Sequence, residues 1–438
     1  MNKVDIAGLK IDAITKKEFL DAALARVQSG KKTFVTTPYS EFLYYEFQTP
    51  EVFEILNKAD FAVADGIGIF WAKKYLELPL TAKSYWGKIL QAAWQMKYSL
   101  AAIIFNPQWI KSALPEKIVG ADLIWDLAEL AAKNNLSIFL LGGFGNTAEL
   151  AKQKLMSTYP NISISTSNKN PGDETIINDI NQSNADILFV AYGPIKQEKW
   201  IAENLAKLNV KLAIGVGGSF DYIAGVKSAP PKFVRYSGLE WLWRLITQPY
   251  RFKRIINATF GLMSGLWHYK VFSNLPLRKN AVAVILNNSN EILICQRSSQ
   301  NFNFYINQKK ALLKGSDYWQ FPQGGINESE NIIDGALREV KEETGIENLK
   351  VLKTSEKTNT LIWENALRSF RKNIVIPNKG QVQSIVYFKF LGTDSEIKMD
   401  GREFVNYKWI KVKDLPQAVH PERRALAIIV KEDLKDLA

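Results

Sequence analysis

One segment in the last third of the chain constrains the fold more than any other, because glycine and charged residues occur there at an uncommon spacing. Gly324 is followed after five residues by Glu330 and, after seven more, by Arg338-Glu-Val-Lys-Glu-Glu-Thr-Gly-Ile346. The first glycine comes directly after an apolar run, as expected of a loop, and Gly345 stands where a helix cap belongs. The segment is therefore predicted to form a loop, a helix and a glycine cap.

Three glutamates of this helix are the candidate chemical groups. In a helix, Glu339, Glu342 and Glu343 occupy positions i, i+3 and i+4 and share one face. Like charges repel at this spacing, so their convergence indicates a cation, and carboxylate oxygens suit Mg²⁺ or Mn²⁺. A divalent ion with open positions can bind phosphate oxygens and activate water, which predicts pyrophosphate cleavage. Helices rich in Glu and Lys more often present a solvated face, and here the flanking glycines favour the metal site.

The whole segment resembles the Nudix box of hydrolases that cleave nucleoside diphosphates linked to another group. The resemblance implies that the three glutamates are metal ligands or the base that activates water. It also implies that Arg338 orients a glutamate and that Glu330 supports the helix.

A narrower resemblance starts at Trp319-Gln-Phe-Pro-Gln-Gly-Gly-Ile326. This run is similar to that of Nudix enzymes acting on RNA 5′ ends and dinucleoside polyphosphates. The later match Glu403-Phe-Val-Asn-Tyr-Lys-Trp409 implies that Glu403 is a further metal ligand or base. The expected substrate is thus a nucleoside polyphosphate or an RNA 5′ end.

Composition bounds the rest of the chain. Its 438 residues exceed one ordinary domain, so two or three domains are expected. The single cysteine, Cys295, excludes an intramolecular disulfide and a cysteine-based zinc site. The first residues lack the apolar core of a signal peptide, which predicts a cytoplasmic protein. The net charge of +12 fits nucleotides, nucleic acid or an anionic membrane surface and does not choose among them.

Short apolar runs alternate with amphipathic segments up to about residue 225, which predicts an α/β doubly wound, Rossmann-like sheet. The predicted strands are residues 33–36, 61–64, 137–141, 187–190 and 212–216.

Glycine loops follow several of these strands, where such sheets bind ligands and helix N-termini favour phosphate. Tight turns also use glycine for steric reasons, so both interpretations stay open. The candidate substrate-binding glycines are Gly142, Gly143, Gly217 and Gly218.

Two aromatic regions interrupt the pattern. Residues 84–110 are apolar but short for a spanning helix; we expect them to pack on the core, with a membrane interface as the alternative. Residues 227–270 carry eight Lys or Arg against the single acid Glu240, with interleaved aromatics, which suits an anionic bilayer surface. A basic helical pair packed on the first domain is the alternative there.

The predicted domain plan has four parts. Residues 1–226 form the doubly wound domain, 227–270 a basic appendage, 271–279 a linker, and 280–438 a Nudix α/β/α sandwich that opens with a β-hairpin.

Several segments of the first part, taken in order, resemble the WecG/TagA/CpsF family, glycosyltransferase family 26. The resemblance implies inverting transfer of an N-acetylmannosamine-type sugar from a UDP donor to a polyprenyl-diphosphate-linked sugar. It also implies a peripheral position on the inner face of the cell membrane. No carboxylate cluster comparable to the box glutamates is apparent in the sequence of this domain, so no metal cofactor is expected for it. The segments are Thr36-Thr-Pro-Tyr-Ser-Glu41, Ala64-Asp-Gly-Ile-Gly68, Ala191-Tyr-Gly-Pro-Ile-Lys-Gln-Glu-Lys-Trp200, Gly215-Val-Gly-Gly-Ser-Phe-Asp221 and Leu239-Glu-Trp-Leu-Trp-Arg-Leu245.

By the same resemblance, Asp65 is the base that takes a proton from the acceptor hydroxyl, with Thr37 beside it. Gln197 contacts donor or acceptor. Without the resemblance, Asp65 before a glycine is most simply a turn residue. Three arginines, whose planar donors suit a diphosphate, offset its charge: Arg244, Arg251 and Arg254.

Three features depart from the family pattern: Tyr39 stands in place of Asn, Lys117 in place of Arg, and residues 84–110 are longer than usual. The leading hypothesis is a bifunctional enzyme. A non-catalytic glycosyltransferase-like module that anchors a Nudix hydrolase is the alternative, and a Nudix half that only senses nucleotide is a third. The sequence leaves a homo-oligomer open.

Overall fold

A computed structural model describes residues 2–228, 231, 234, 240–247, 249, 252, 256–298, 318–363 and 378–435. The chain forms two compact units that meet in sequence between Val271 and Phe272. Each unit has its own hydrophobic core.

Apolar runs form the strands of the first unit. They are β1 (Lys3–Ile6), β2 (Leu9–Asp12), β3 (Thr33–Thr36), β4 (Phe61–Ala62), β5 (Ser137–Gly142), β6 (Ser163–Ser167), β7 (Ile187–Ala191) and β8 (Leu212–Gly215). β1 and β2 make a small hairpin, while the others form one parallel sheet in the order β4-β3-β8-β7-β5-β6. The predicted parallel sheet is confirmed, and its C-terminal edge gathers the loops after β3, β4, β5, β7 and β8.

Helices cover this sheet. They are α1 (Lys16–Gln28), α2 (Ser40–Gln48), α3 (Pro50–Leu56), α4 (Ile67–Glu77), α5 (Tyr85–Phe105), α6 (Pro107–Lys111), α7 (Gly120–Lys133), α8 (Thr147–Thr158), α9 (Ile176–Gln182), α10 (Lys196–Asn204) and α11 (Ser219–Ile223). Adjacent strand residues point to opposite faces. Accordingly, Val35 joins one buried cluster and Phe34 another, so both faces of the sheet are covered.

The region 84–110 packs on the core along one face only. The buried residues of α5 are the small Ala92, Ser99 and Ala102, while large apolar side chains such as Trp86 and Trp94 are exposed. The expectation of core packing is therefore wrong for the outer face. Within the described ranges, no helix combines the length and apolarity needed to cross a membrane.

The described part of the region 227–270 contains helix α12 (Glu240–Thr247) and a short π-helical segment (Asn257–Gly261) that leads into α13 (Leu262–Ser273). Lys270 corrects the expectation for this region, because it is only 1% exposed. Its ammonium donates to the carbonyl of Tyr75 and lies over that ring, 4.4 Å from the centroid. Lys270 therefore supports the core and does not face a membrane.

The second unit is a mixed sheet with helices on both faces. Its strands are β9 (Leu277–Leu286), β10 (Ile292–Arg297), β11 (Trp319–Gln320), β12 (Gln323–Gly325), β13 (Leu349–Ile362), β14 (Gly380–Phe390) and β15 (Phe404–Ile410). Its helices are α14 (Ile332–Thr344), α15 (Leu415–Ala418) and α16 (Arg424–Asp433). The sheet order is β11-β10-β9-β14-β13, with β12 on β9 and β15 on β10.

Side chains of β9 point alternately to the two faces of the sheet, and helices cover both faces. Val282 and Val284 pack in the cluster that contains α16, while Ala281 and Ala283 pack in the cluster that contains α14. The predicted α/β/α arrangement and opening hairpin are confirmed. The linker is shorter than the predicted 271–279, because α13 continues to Ser273 and β9 already pairs with β14 at Leu277.

Candidate active sites

The predicted box helix is α14, and local residues fix both of its ends. The Asn331 side chain accepts hydrogen bonds from the backbone N–H groups of Ile333 and Asp334. Gly345 ends the helix at φ +68°, a conformation that favours glycine. The loop, helix and glycine cap predicted from the spacing are thus present.

Arg338 is the hub of the box. Its Nε and Nη2 donate to the two Glu330 carboxylate oxygens over 2.9 and 3.0 Å, and Nη2 also donates to the Gly325 carbonyl. These hydrogen bonds hold the pKa of Glu330 below its ordinary value and raise that of Arg338. Arg338 also donates to Glu339 over 2.8 Å. The orienting role expected of Arg338 and the supporting role of Glu330 therefore have a geometric basis.

The box glutamates do not all point the same way. Glu343 is 3% exposed, and its Oε2 accepts from the Gln323 backbone N–H over 3.0 Å. The Glu339 carboxylate lies so close to Gly324 that a side chain there would overlap it. In contrast, the Glu342 side chain is 60% exposed, and its Oε2 lies 3.4 Å from Nη1 of Arg338.

Glu403 joins Glu339 and Glu343 electrostatically. Burial raises the pKa of Glu343 well above its ordinary value, and the charges of Glu403 and Glu339 raise it further. Burial also raises the pKa of Glu403, although Arg297 opposes the shift from 3.5 Å. Mutual repulsion among these three carboxylates is what a bound cation would relieve.

A divalent ion fits this donor set in one specific respect. Oε1 of Glu343 is buried and has no hydrogen-bond partner among the residues described. As arranged, however, no three His, Cys, Asp or Glu side chains within those residues are close enough to chelate an ion. Metal ligation by Glu339, Glu342, Glu343 and Glu403 therefore stays a prediction.

Three charged residues near this site were missed from the sequence. Arg278, on β9, packs against Gly325 and lowers the pKa of Glu403. Arg297 ends β10 beside the same carboxylate. Asp400 accepts from the backbone N–H groups of three following residues and so fixes the turn that carries Glu403. The sequence held no local signal for the two arginines, because strand pairing over long separations brings them to the site.

In the first unit, Asp65 and Thr37 meet at the C-terminal edge of the sheet. Thr37 follows β3 and Asp65 follows β4, and these strands are neighbours. Oδ2 of Asp65 accepts from the Gly120 backbone N–H over 3.1 Å. A Cβ on Gly120 would lie 3.2 Å from both Asp65 Oδ2 and Thr37 Oγ1. Asp65 is therefore a positioned carboxylate, half-buried in a loop cluster.

Gln197 supports a neighbouring glycine loop. Its Oε1 accepts from the Gly217 backbone N–H over 2.9 Å, and its Nε2 donates to Glu198 over 2.7 Å. A side chain at Gly215 would overlap both Gln197 and Glu198. The Gln197 amide thus fixes the backbone of the loop at Gly217. Contact of Gln197 with a substrate stays a prediction.

The candidate glycines serve backbone geometry. Gly142 and Gly143 have φ +85° and +89°, and a Cβ on Gly142 would lie 2.9 Å from the Tyr192 ring. Gly217 has φ +55°, whereas Gly218 has φ −85° and is the N-cap residue of α11. Steric need accounts for the first three, so their binding role also stays a prediction.

The three predicted diphosphate-binding arginines cannot be placed. Arg251 and Arg254 lie outside the described residues, and for Arg244 only the backbone is described, within α12. Tyr39, the departure from the family pattern, donates its hydroxyl to Glu41 over 2.9 Å.

Comparison with known families agrees with both halves. The model of the glycosyl transferase WecG/TagA/CpsF family matches residues 4–105 and 101–275, more than half of the chain, and the NUDIX domain model matches residues 276–428. The chain is 28% identical over 257 residues to the N-acetylglucosaminyldiphosphoundecaprenol N-acetyl-beta-D-mannosaminyltransferase of Staphylococcus aureus strain MRSA252, covering 58% of this chain and 88% of that one. The protein of the same name from strain NCTC 8325 is 27% identical with the same coverage.

Solved structures are similar to part of the chain. The MutT protein from Methanosarcina mazei Go1 shares 19% identity at a TM-score of 0.26, covering 36% of this chain and 97% of that one. The C. elegans Ap4A hydrolase binary complex shares 20% identity at a TM-score of 0.25, covering 36% and 98%. On its family matches, the chain is an enzyme of the WecG/TagA/CpsF glycosyltransferase family that carries a Nudix hydrolase domain in its C-terminal part.

Proposed function

We propose that the first unit transfers an N-acetylmannosamine-type sugar from a UDP donor to a polyprenyl-diphosphate-linked sugar. We also propose that the second unit hydrolyses a pyrophosphate bond in a nucleoside polyphosphate or an RNA 5′ end. The observation that carries the transferase half is the pair Thr37 and Asp65, held against Gly120 at the ligand-binding edge of the sheet. The name of the Staphylococcus aureus relatives supports the acceptor class.

In the transfer, Asp65 acts as the general base. Its carboxylate accepts the proton of the acceptor hydroxyl while that oxygen forms a bond to the anomeric carbon of the donor sugar. The bond from the anomeric carbon to UDP breaks on the opposite side, and UDP leaves with the electron pair. The configuration at the carbon is thereby inverted.

Arginine rather than metal would meet the charge of the leaving diphosphate. Arg244, Arg251 and Arg254 bring three planar donors to this task. The loops at Gly142–Gly143 and Gly217–Gly218 would bring backbone N–H groups to the donor. With these groups binding the donor, the proposed mechanism uses no divalent ion in the first unit.

The enzyme would work on the cytoplasmic face of the cell membrane, where a polyprenyl-linked acceptor resides. The basic excess of residues 227–270 supports this location. The transfer would contribute to cell-surface polysaccharide synthesis.

In the second unit, Glu339, Glu343 and Glu403 would hold Mg²⁺ or Mn²⁺. Such an ion, when bound, supplies Lewis acidity to the phosphate oxygens. The exposed Glu342 would take the proton of the attacking water as the phosphorus–oxygen bond breaks. Arg278 and Arg297 would face the substrate phosphates.

The transferase proposal is tested with purified full-length chain, a panel of UDP-sugars and a lipid-diphosphate acceptor. Wild type should form product, and Asp65→Asn should retain UDP binding while transfer falls by about 10²–10⁴-fold. Equal rates would remove Asp65 from the mechanism. If wild type transfers sugar from no UDP-sugar, the alternative of a non-catalytic module that anchors the Nudix hydrolase is favoured. The observation that supports this alternative is Tyr39, which stands where the family pattern has Asn.

The hydrolase proposal is tested separately on capped or triphosphorylated RNA and on diadenosine polyphosphates. Release of phosphate or nucleotide should require Mg²⁺ or Mn²⁺. Binding of these ligands without turnover would instead favour a nucleotide sensor.

A further inference from the structure

Helix α5 packs Met96, Leu100 and Ile103 against the core and leaves several other large apolar side chains exposed. Its buried positions are Ala92, Ser99 and Ala102, whereas an ordinary surface helix buries its large apolar residues. The exposed apolar face, called here the α5 outer face, consists of Trp86 (68% exposed), Leu90 (70%), Trp94 (68%), Tyr98 (52%), Ile104 (67%) and Phe105 (84%).

These residues form one continuous stripe. Trp86, Leu90, Trp94 and Tyr98 recur every four residues, so each lies one turn above the last. The helix has 21 residues and is thus about 32 Å long. Contiguous exposed apolar surface of this kind marks an interaction site.

The helix is held rigidly from its inner side. Trp71 Nε1 donates to Ser99 Oγ over 2.9 Å, and the Tyr75 hydroxyl donates to the Ala92 carbonyl over 3.2 Å. The amides of Gln91 and Gln95 bond the preceding loop at Pro79. The stripe therefore belongs to a fixed element that cannot turn its apolar side inward.

Charge identifies the partner. Residues 78–115 contain four lysines and no aspartate or glutamate. Lys97 is exposed between the turns that carry Trp94 and Ile104, and Lys83 is exposed just before the helix. Pairing this face with the same face of a second copy would bring like charges together and offer them no acid. Tryptophan, tyrosine and lysine around an apolar strip instead suit the headgroup region of an anionic bilayer.

We propose that the α5 outer face lies in the interfacial layer of an anionic membrane, parallel to its surface. Trp86, Leu90 and Trp94 enter the boundary between headgroups and acyl chains, while Lys97 reaches up to the phosphates. The inference rests on the proposed action on a lipid-linked acceptor and adds a second, apolar contact to the basic region 227–270. Two such signals together give firmer anchoring than charge alone.

The test compares matched variants of the full chain on vesicles without any substrate. Leu90→Glu/Ile104→Glu adds two charges to the α5 outer face, and Leu391→Glu/Ile428→Glu adds two charges at exposed apolar positions of the second unit. On vesicles of phosphatidylcholine with phosphatidylglycerol, the first variant should partition at least about tenfold less than wild type, because two apolar side chains no longer enter the membrane. The second variant should partition like wild type.

Circular dichroism and thermal unfolding establish that both variants are folded. Wild type should also bind phosphatidylcholine vesicles more weakly than mixed ones. Equal partitioning of the two variants would overturn the inference. So would light scattering that shows a wild-type oligomer dissociated by Leu90→Glu/Ile104→Glu with vesicle binding unchanged, since the face would then be a self-association surface.

A second assay separates this inference from the transferase proposal. A short-chain acceptor that stays in solution should be used equally by wild type and Leu90→Glu/Ile104→Glu, because the face lies outside the chemistry. Vesicle binding can be measured even if no sugar transfer occurs. Failure of the proposed transferase function would therefore leave the membrane-binding inference for the α5 outer face to be tested separately.

Discussion

The backbone N–H of Gly120 donates to Oδ2 of Asp65 over 3.1 Å, although 55 residues separate them. Gly120 begins α7, so the first turn of that helix meets the loop after β4. The contact fixes the position of the carboxylate, which suits the role proposed for Asp65.

Gly120→Ala should impair transfer without unfolding the first unit. The added Cβ would lie 3.2 Å from both Asp65 Oδ2 and Thr37 Oγ1, so one or both must shift. A displaced catalytic group costs up to about a hundredfold in rate. Initial rates at saturating donor measure the effect, and Gly172→Ala is the control, because nothing lies within 4 Å of its added Cβ. A Gly120→Ala enzyme as fast as the control would contradict the placement of Asp65 in the site.

Glu342→Gln should lower pyrophosphate hydrolysis by orders of magnitude and leave the melting temperature unchanged. The Glu342 side chain is exposed and has one long contact with Arg338, so the fold does not depend on it. Glu347→Gln is a matched control, since Glu347 is also exposed and pairs with Lys341 over 3.0 Å. Turnover numbers of the two variants are compared at saturating Mg²⁺. Near wild-type turnover in Glu342→Gln would exclude this residue from the chemistry.

Helical spacing alone could not assign different environments to the box glutamates. Positions i, i+3 and i+4 share a broad face, and the direction of the core decides which member is buried. Here Ala336 and Val340 face the sheet, so Glu343 turns inward and Glu342 outward. The sequence predicted the helix and its glycine cap because those signals are local.

An edge strand, a contact between distant residues and the exposed face of α5 were not predicted, because none of them has a local sequence signal. Strand β6 is Ser-Ile-Ser-Thr-Ser, and as an edge strand it lacks the apolar run that marked the central strands. The contact of Arg278 with Gly325 depends on the pairing of β9 with β12. In α5, the apolar count predicted burial, but the fully buried positions are small residues and several large apolar side chains, such as Trp86 and Trp94, are exposed.

Chelation should separate the two activities of the chain. Excess EDTA should abolish pyrophosphate hydrolysis, because it removes the divalent ion that is proposed to supply Lewis acidity to the phosphate oxygens. Sugar transfer should continue, since arginines are proposed to meet the diphosphate charge there. Both activities are followed in one preparation before and after EDTA, with Mg²⁺ restored as the reversibility control. Loss of transfer that Mg²⁺ restores would show that the first unit also needs a divalent ion.

Glu198 should make the stability of the first unit depend on pH. It is fully buried, and burial raises the pKa of its carboxyl from 4.5 to about 7, although hydrogen bonds from Gln197 and Ile195 oppose the shift. The folded state therefore retains a proton that the unfolded state has released. The stabilisation is complete below pH 4.5, declines as the pH rises to about 7, and is absent above it.

Glu198→Gln should remove this dependence, because the amide has no proton to lose. The difference in unfolding free energy between wild type and variant, from urea titrations at each pH, should change between about pH 4.5 and 7 by at most on the order of 3 kcal/mol. Glu203→Gln, at an exposed position of the same helix α10, should show no such slope. A difference that stays constant across this range would mean that folding does not raise the pKa of Glu198.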